Sequence, residues 1–354
     1  MDDLLVYGSY GYTGRLVARE AVSRGGAPVL AGRNRDRVRE QADDLGLEWR
    51  AFDLEAADEH VGEFDAVCNF AGPFVDTAAS MVEACLEAGT DYLDVTGEVD
   101  VLAALARLDE AATEAGVTLL PGVGFDVTPS DCLAAWLHET FPSADALAVG
   151  ITGWGSLTAG TLRTGLRNVG DGGVIRRNGK LLRVPTAAET RAFDFGSGPT
   201  ATVAVPLGDV VTAYHSTGIG TIATYIDLPR PLIRAMAVGR PLEPVLATRP
   251  IRRALERLVD AVAEGPDERE RETGQPTIQA EVRVDDRIER ARVRTPNTYA
   301  LTADAVVSAA TRVLSGEAPA GFQTPATAFG HDFVTSLEGV ERERLPPVPG
   351  SDGA

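Results

Sequence analysis

Three glycines near the beginning of the chain have the spacing of a phosphate-binding turn. Gly8, Gly11 and Gly14 follow the short apolar run Leu4–Tyr7 and precede a stretch with helical periodicity at residues 15–22. In such a unit the first glycine permits a tight turn, the second lets backbone N–H groups approach a pyrophosphate, and the third lets the helix pack on the strand. The alternative is an ordinary glycine-rich β-turn. We expect a dinucleotide site formed by Gly8, Ser9, Tyr10, Gly11, Tyr12, Thr13 and Gly14.

Basic residues follow the second predicted strand, residues 27–32. In NAD-specific folds an acidic residue at this point accepts a hydrogen bond from the ribose 2′-hydroxyl, whereas an arginine accommodates a 2′-phosphate. Arg33 and Asn34 stand here, more arginines follow, and no acidic residue precedes them. The pattern therefore favours NADP over NAD, with Arg33 and Asn34 as contacts. The alternative is the solvated start of a basic helix.

The ends of the later strands supply further candidates. Asp53 ends a predicted strand at residues 48–53 and is expected near the adenine amino group. In doubly wound sheets the cofactor lies at the carboxyl edge of the strands. The remaining cofactor candidates at that edge are Asn69, Ala71, Gly72, Pro73 and Gly97. The carboxylates there orient the nicotinamide ribose or cap loops, and these are Asp94, Glu98 and Asp126.

Hydride transfer also requires a group that supplies or removes one proton, and Tyr and His suit that task. Tyr214 and His215 follow a predicted strand and precede a Ser-Thr-Gly turn, so we expect them to face a cleft as catalytic residues. The alternative is a structural role for both. The cysteines show no spacing typical of metal ligands, so we expect no metal.

Strands and helices alternate as far as residue 120, which predicts six parallel strands; Ser130 or Asp131 is then expected to cap a helix that runs through His138. After residue 144 short β-prone runs occur without helices between them. The predicted fold class is α/β, with an N-terminal Rossmann doubly wound parallel sheet and an inserted α+β domain built on a mainly antiparallel sheet. The predicted domains are residues 1–130 for dinucleotide binding, 131–299 for substrate or dimerisation, and 300–354 returning to the Rossmann domain.

Composition restricts the partners and the compartment. The 354 residues include 52 acidic and 33 basic side chains, a net charge of −19, and a single lysine, Lys180. Such an excess argues against nucleic acid and is similar to proteins of a salt-rich cytoplasm. Three cysteines, Cys68, Cys85 and Cys132, are expected to be buried thiols in a reducing compartment. No signal peptide or membrane-spanning run is evident, so we expect a cytoplasmic protein.

One stretch departs from the acidic background. Residues 230–258 hold seven arginines and two glutamates among apolar side chains. A basic amphipathic segment of this kind can make a peripheral membrane contact or dock a partner. The alternative is packing against its own domain or against the second copy in a homodimer.

Taken together, several motifs resemble the saccharopine dehydrogenase-like oxidoreductases, especially the trans-acting enoyl reductases. In the first half these are residues 7–14 (YGSYGYTG), 31–33 (AGR), 69–74 (NFAGPF), 92–98 (YLDVTGE) and 121–126 (PGVGFD). In the second half they are residues 206–209 (PLGD), 216–219 (STGI) and 324–330 (TPATAFG). The resemblance implies a nicotinamide cofactor, a Rossmann domain with an inserted α+β domain, and a C-terminal segment that returns to the first.

Three functions fit this pattern. The first is NADP-dependent reduction of a C=C bond in a small, lipid-like or acyl substrate. The second is an amino- or imino-acid dehydrogenase, in which Arg163, Arg167 or Arg176 clamps a carboxylate. The third is a non-catalytic nucleotide-binding or membrane-associated protein. Fold alone does not separate them.

Overall fold

The computed structural model describes residues 1, 3–153, 172–239 and 275–350. The chain divides into two compact units. The first unit comprises Met1–Trp136 and Tyr299–Glu338, and the second comprises Leu137–Thr298 and Gly339–Ala354.

The first unit contains a parallel sheet of seven strands. They are β1 (Leu4–Tyr7), β2 (Val29–Ala31), β3 (Trp49–Arg50), β4 (Ala66–Asn69), β5 (Asp91–Asp94), β6 (Thr118–Leu120) and β15 (Gly321–Phe322). Their order across the sheet is β15-β6-β5-β4-β1-β2-β3. The strand order reverses beside β1, as in a doubly wound dinucleotide-binding sheet. The sequence predicted six of these strands; the seventh is the two-residue strand β15, which pairs with β6.

Helices cover the sheet of the first unit. They are α1 (Tyr12–Ser23), α2 (Arg35–Leu45), α3 (Phe74–Ala88), α4 (Val99–Leu105), α5 (Asp109–Ala115), α6 (Thr128–Thr140), α9 (Thr298–Leu314) and α10 (Pro325–Phe329). Buried Val17, Ala18 and Ala21 form the inner face of α1. A 3-10 turn, Ala106–Leu108, separates α4 from α5.

The expected cap of α6 is wrong. The helix begins at Thr128, so Ser130 and Asp131 lie inside its first turn. Ser130 Oγ donates to the carbonyl of Val127 at 3.0 Å, and Asp131 Oδ2 accepts from the backbone N–H of Ala326 at 2.9 Å. Asp131 therefore binds the first turn of α10 instead of capping its own helix.

The second unit is built on a nine-stranded sheet. Its strands are β7 (Ala146–Thr152), β8 (Gly173–Arg177), β9 (Lys180–Val184), β10 (Thr190–Asp194), β11 (Pro199–Ala204), β12 (Thr221–Asp227), β13 (Thr277–Val284), β14 (Arg287–Arg294) and β16 (Glu341–Pro349). The main order is β10-β11-β12-β7-β13-β14-β16, and the β8–β9 hairpin joins at β12. Among the described strands of this second sheet only the β7–β12 pair is parallel, so the predicted mainly antiparallel sheet is confirmed. Two helices, α7 (Asp209–Thr217) and α8 (Arg230–Gly239), accompany it.

The sheet of the second unit curls. Phe193 of β10 lies against Gly150 of β7, where a Cβ atom would stand 2.7 Å from the ring. Phe193, Ala148 and Tyr225 form a buried cluster on this face. Gly150 thus leaves the space that lets a distant strand fold across the sheet.

The end of the chain differs from the expected domain arrangement. Residues 299–338 belong to the first unit, but β16 pairs with β14 in the second, with Arg292 opposite Glu343. The division also falls inside α6, after Trp136, rather than at residue 130. Without β16, the N–H and C=O groups along the outer side of β14 would have no partner in the sheet. The pairing of β16 with β14 provides those hydrogen bonds.

The basic stretch is described only in part. Helix α8 covers residues 230–239, and its Ile233 packs with Val203 and Ala187. Residues 240–258 lie outside the described residues. Within the described ranges, no helix is long and apolar enough to cross a membrane.

Candidate functional site

The glycine turn has the close backbone contacts that its spacing predicts. The N–H groups of Gly8 and Ser9 both donate to the carbonyl of Ala31, at 2.8 and 3.1 Å. Gly8 has a φ of +76°, and a Cβ atom there would lie 2.7 Å from the nitrogen of Ala71. A Cβ atom at Gly14 would lie 2.7 Å from the carbonyl oxygen of Gly8. These contacts hold β1, the turn and α1 so close that larger side chains do not fit.

The N-terminus of α1 is open to an anion. Its N-cap residue, Gly11, provides no side-chain cap, and the first turn holds no acidic residue. The N–H of Arg15 makes a bond to Gly11 at 3.0 Å, so the N–H groups of Thr13 and Gly14 precede the first intrahelical bond. Unpaired N–H groups and the helix dipole together favour a phosphate at this position.

Ser9 lies buried inside the turn. Its side chain has no solvent exposure. Its hydroxyl oxygen finds no hydrogen-bond partner in the part of the chain that the structure describes. A buried hydroxyl without a partner is unfavourable by about 1–3 kcal/mol, and a phosphate oxygen at the turn would supply that partner.

The two tyrosines of the turn have different environments. The ring of Tyr10 covers Gly32, where a Cβ atom would lie 2.7 Å from the ring, and its hydroxyl accepts from the N–H of Asn34 at 3.4 Å. Tyr12 is 52% exposed and meets the ring of Tyr299 edge-on at 4.6 Å. Tyr10 therefore packs on the end of β2, while Tyr12 leaves part of its ring accessible beside the start of α1.

The end of β2 is basic and accessible. Arg33, Arg35 and Arg37 are exposed, and none makes an ion pair with a carboxylate of the described residues. Arg35 stands over the ring of Trp49 at 5.7 Å. The Asn34 side chain accepts from the N–H of Arg37 at 3.1 Å and so caps α2. Arg33 is therefore available to an anionic ligand, whereas the Asn34 carbonyl oxygen already has a partner.

A buried polar network joins the ends of β4 and β5. Asn69 Oδ1 accepts from the N–H of Ala71 at 3.0 Å, and its Nδ2 donates to the Tyr92 hydroxyl at 3.3 Å. That hydroxyl donates to Asp94 Oδ2 at 2.7 Å. Asp94 Oδ1 accepts from the N–H groups of Thr96 and Gly122, at 2.9 and 3.0 Å. Asn69 and Asp94 thus position the loops of the edge, and burial raises the pKa of Asp94 to about 6.

The sequence did not indicate Tyr92 as part of this network. Its position inside a strand is typical of a core aromatic. Only the parallel register of β4 and β5, which places Tyr92 opposite Val67 and Asp94 opposite Asn69, brings the three polar groups together.

Glu98 has a similar structural role. Its carboxylate accepts from the N–H groups of Phe74 and Val75, at 3.1 and 3.2 Å, at the beginning of α3. This side chain accepts hydrogen bonds from N–H groups that have no partner within the helix, and its negative charge interacts favourably with the helix dipole. The N-terminus of α3 is therefore closed to an anionic ligand, in contrast to that of α1.

The loop between β4 and α3 presents backbone to open space. A Cβ atom at Gly72 would meet no atom within 4 Å, and Gly72 is exposed. Pro73 follows it as the N-cap residue of α3. At Gly97 a Cβ atom would lie 3.1 Å from the Cβ of Asp126. Asp53, at the start of a 3-10 segment, is exposed.

The two residues expected to be catalytic lie in the second unit, and their expected local structure is wrong. Tyr214 and His215 are in α7 instead of lying between a strand and a turn. The guanidinium of Arg176 stacks over the Tyr214 ring at 3.9 Å. Both side chains are exposed on the helix.

Of the arginines expected to clamp a carboxylate, only Arg176 is described. It is 7% exposed and donates at 2.6 Å to the carbonyls of Val210 and Gly179. It therefore holds the β8–β9 turn on α7. Arg163 and Arg167 lie outside the described residues.

A comparison with known families identifies the first domain. Residues 4–120 match the family model of the saccharopine dehydrogenase NADP binding domain. This stretch, about a third of the chain, is similar to that NADP-binding domain. The preference for NADP and the family resemblance expected from the sequence are confirmed by this match.

Curated relatives match about a third of this chain. A trans-acting enoyl reductase of Mycobacterium leprae is 32% identical over 140 residues, which cover 36% of this chain and 34% of that protein. A trans-acting enoyl reductase of Mycobacterium tuberculosis is 30% identical over 140 residues, with 36% and 34% covered. The matched part therefore spans about a third of the length of these relatives.

A solved structure shows the fold of the whole chain. The apo saccharopine dehydrogenase (L-Glu forming) of Saccharomyces cerevisiae has a TM-score of 0.66, covering 97% of this chain and 99% of that chain. At 13% sequence identity this likeness confirms the predicted fold class alone.

The NADP-binding domain has the features that NADP requires. The uncapped start of α1 and the unpartnered Ser9 hydroxyl fit a pyrophosphate. Arg33, free of any carboxylate in the described ranges, fits a 2′-phosphate. The open space above Gly72 leaves room for a ligand along the edge of the sheet.

Proposed function

We propose that this protein is an NADP-dependent oxidoreductase that reduces a C=C bond in a lipid-like or acyl substrate. One observation carries the cofactor part of the proposal: an accessible arginine, Arg33, ends β2 where an NAD-binding sheet carries an acidic residue. The uncapped helix α1 follows β1, and β1 pairs with β2. The names of the curated relatives support the enoyl substrate.

When bound, NADPH supplies a hydride. The residues of this chain then have three tasks. The glycine turn and α1 hold the pyrophosphate, Arg33 holds the 2′-phosphate, and the loops set by Asp94 and Glu98 fix the edge of the sheet.

The charge of the edge favours a substrate without a free carboxylate. The last residue of β5 is Asp94, and the loops after β4, β5 and β6 contain the carboxylates Glu98 and Asp126 but no Lys, Arg or His. A carboxylate substrate would be repelled by these groups, whereas a neutral acyl chain would not. Arg176, a candidate clamp, is already bound to backbone carbonyls. These observations count against the amino- or imino-acid alternative.

The proton donor is proposed from the second unit. Tyr214 and His215 are exposed ionisable side chains on α7 and keep this proposed role. Once a substrate turns over, Tyr214→Phe and His215→Gln test it. A loss of more than tenfold in kcat for either variant, with KM unchanged, is expected; wild-type rates for both would end the proposal.

The surface of α8 supports a peripheral contact with a membrane or with a second copy. Arg230, Arg234 and Val238 are exposed on it, Val238 by 79%. Sedimentation with anionic vesicles and analytical ultracentrifugation test the two forms of contact. A reducing, cytoplasmic setting is proposed because all three cysteines are buried and none forms a disulfide bond.

The deciding experiment is a fluorescence titration of the purified protein with NADPH and NADH. We expect NADPH to bind at least about tenfold more tightly, about 1.4 kcal/mol. Arg33→Asp should abolish that preference by weakening NADPH binding and leaving NADH binding unchanged.

The matched control is Arg107→Asp, which makes the same charge change at an exposed residue of the 3-10 turn between α4 and α5. It should keep the preference. If neither nucleotide binds at millimolar concentration, the chain is not an NADP-dependent enzyme, and the alternative of a non-catalytic, membrane-associated protein replaces it.

A further inference from the structure

Asp126 lies at the carboxyl edge of the sheet in the first unit. It follows β6 through the loop at residues 121–125. Its carboxylate stands over the backbone of Gly97 in the loop after β5, where a Cβ atom would be 3.3 Å from Asp126 Oδ2. The absence of a side chain at Gly97 is what allows this position.

This carboxylate differs from its acidic neighbours. Asp94 accepts bonds from two N–H groups, Glu98 caps α3, and Asp131 binds the first turn of α10. Asp126 is accessible and makes no hydrogen bond or ion pair with any residue in the described ranges. A carboxylate that stabilises nothing in the fold is a candidate for a ligand contact.

The sheet order determines which half of the cofactor it faces. The pyrophosphate belongs at α1, after β1, and the adenosine half extends towards β2 and Arg33. The other half must then extend to the opposite side, over β4 and β5. Gly97 follows β5, and Asp126, which follows β6, stands beside it, so both belong to the nicotinamide half.

We propose that ionised Asp126 faces the nicotinamide ring and makes the protein bind NADP⁺ in preference to NADPH. The oxidised ring carries a positive charge and the reduced ring is neutral, so a nearby carboxylate attracts only the oxidised form. This inference rests on the proposed NADP-dependent function. A protonated Asp126 removes the attraction, which makes the relative affinity of the two forms depend on pH.

The direction of the pH dependence follows from the surroundings of Asp126. The protein atoms around this accessible carboxyl group displace part of its hydrating water, which disfavours the charged form and raises its pKa to about 6. Within the first unit, the ionisable groups that flank it on β5 and α6 are Asp94, Glu98 and Asp131. Each is held by hydrogen bonds of its own. Asp126 is thus neutral at pH 5 and ionised at pH 8.

The experiment measures the dissociation constants of NADP⁺ and NADPH by calorimetry at pH 5 and pH 8. For the wild-type protein, the ratio of the NADPH constant to the NADP⁺ constant should rise about tenfold between these pH values. The 2′-phosphate of the cofactor also titrates at about pH 6. Both NADP⁺ and NADPH carry it, so its effect cancels in the ratio of the two dissociation constants. In Asp126→Asn the ratio of the NADPH constant to the NADP⁺ constant should be the same at both pH values and equal to the wild-type ratio at pH 5.

Two controls isolate the nicotinamide. Asp53→Asn removes an exposed carboxylate on the adenosine side and should keep the tenfold change. Adenosine 2′-phosphate 5′-diphosphoribose, which lacks the nicotinamide, should bind equally to the wild type and to Asp126→Asn. Asp126→Ser is a second neutral variant and must behave as the amide variant does.

The outcomes separate this inference from the proposed function. Binding of both forms with the same ratio in wild type and Asp126→Asn overturns the role of Asp126 and leaves NADP binding intact. Failure of every variant to bind either form overturns the proposed function as well.

Discussion

Ser9 offers a sharp test at the level of a single atom. Its buried hydroxyl has no partner in the described part of the chain, so Ser9→Ala should leave the melting temperature of the free protein unchanged or slightly higher. The same change should weaken NADPH binding by about tenfold, the loss of one hydrogen bond to a charged oxygen. Thermal melts and titrations measure the two effects.

Ser130→Ala is the matched control. Ser130 is equally buried, but its hydroxyl donates to the carbonyl of Val127 at 3.0 Å. This variant should lose about 1 kcal/mol of stability and keep its NADPH affinity. A Ser9→Ala protein that melts lower and binds normally would show that the hydroxyl serves the fold alone.

The role of a residue could be predicted from the sequence where the backbone conformation alone requires that residue type. Gly8 and Gly14 have contacts that the glycine spacing implies, because any Cβ atom would meet backbone atoms. The roles of Asn69 and Tyr92 depend on the register of two strands, which sequence spacing does not specify. The roles of Tyr214 and His215 stay predictions, and both residues lie in a helix where the sequence predicted the passage from a strand to a turn.

At the level of elements, the Asp94 network holds three loops of one edge, and its stability should depend on pH. Burial raises the pKa of Asp94 from 3.8 to about 6. Because the folded-state pKa is above the unfolded value, the stabilisation is fully present below about pH 4 and is lost as the pH rises through 6. The loss is on the order of 3 kcal/mol for about two pKa units.

Denaturant unfolding between pH 4 and pH 7 measures this dependence. The unfolding free energy of the wild type should fall more steeply with pH than that of Asp94→Asn, whose side chain does not titrate. Asp65→Asn changes an exposed aspartate and should follow the wild type. Parallel curves for the wild type and Asp94→Asn would contradict the role of Asp94.

The strands that alternate with helices were predicted from the sequence, and the last strand of the first sheet was not. The strands of the first sheet up to β6 are confirmed because apolar runs alternate with helical segments. Strand β15 has only two residues and is held by pairing with β6, together with a bond of 2.8 Å from the N–H of Phe322 to the Asp109 carboxylate. Nothing in a two-residue segment indicates such pairing from sequence.

At the level of the whole molecule, the net charge of −19 should make stability depend on salt. Self-repulsion destabilises a folded acidic protein, and salt screens it. The melting temperature should rise by about 5 °C between 0.05 and 0.5 M KCl at pH 7.5. Calorimetry checks this, and a flat or falling melting temperature would count against a salt-adapted surface.

The same measurement near the isoelectric point is the control. There the net charge vanishes, so the rise with salt should disappear. If it persists, ion-specific effects on apolar surface explain the result better than screening.

Each of the two units is built from two separate stretches of the chain, which affects when each can complete its fold during synthesis. The first unit lacks β15 until residue 322 has been made, and the second lacks its edge strand β16 until residue 349. A ribosome adds about 5–20 residues per second. During synthesis each sheet therefore has one unpaired edge until its last strand has been made. A cell that makes this protein must keep those two edges from pairing with other strands until then.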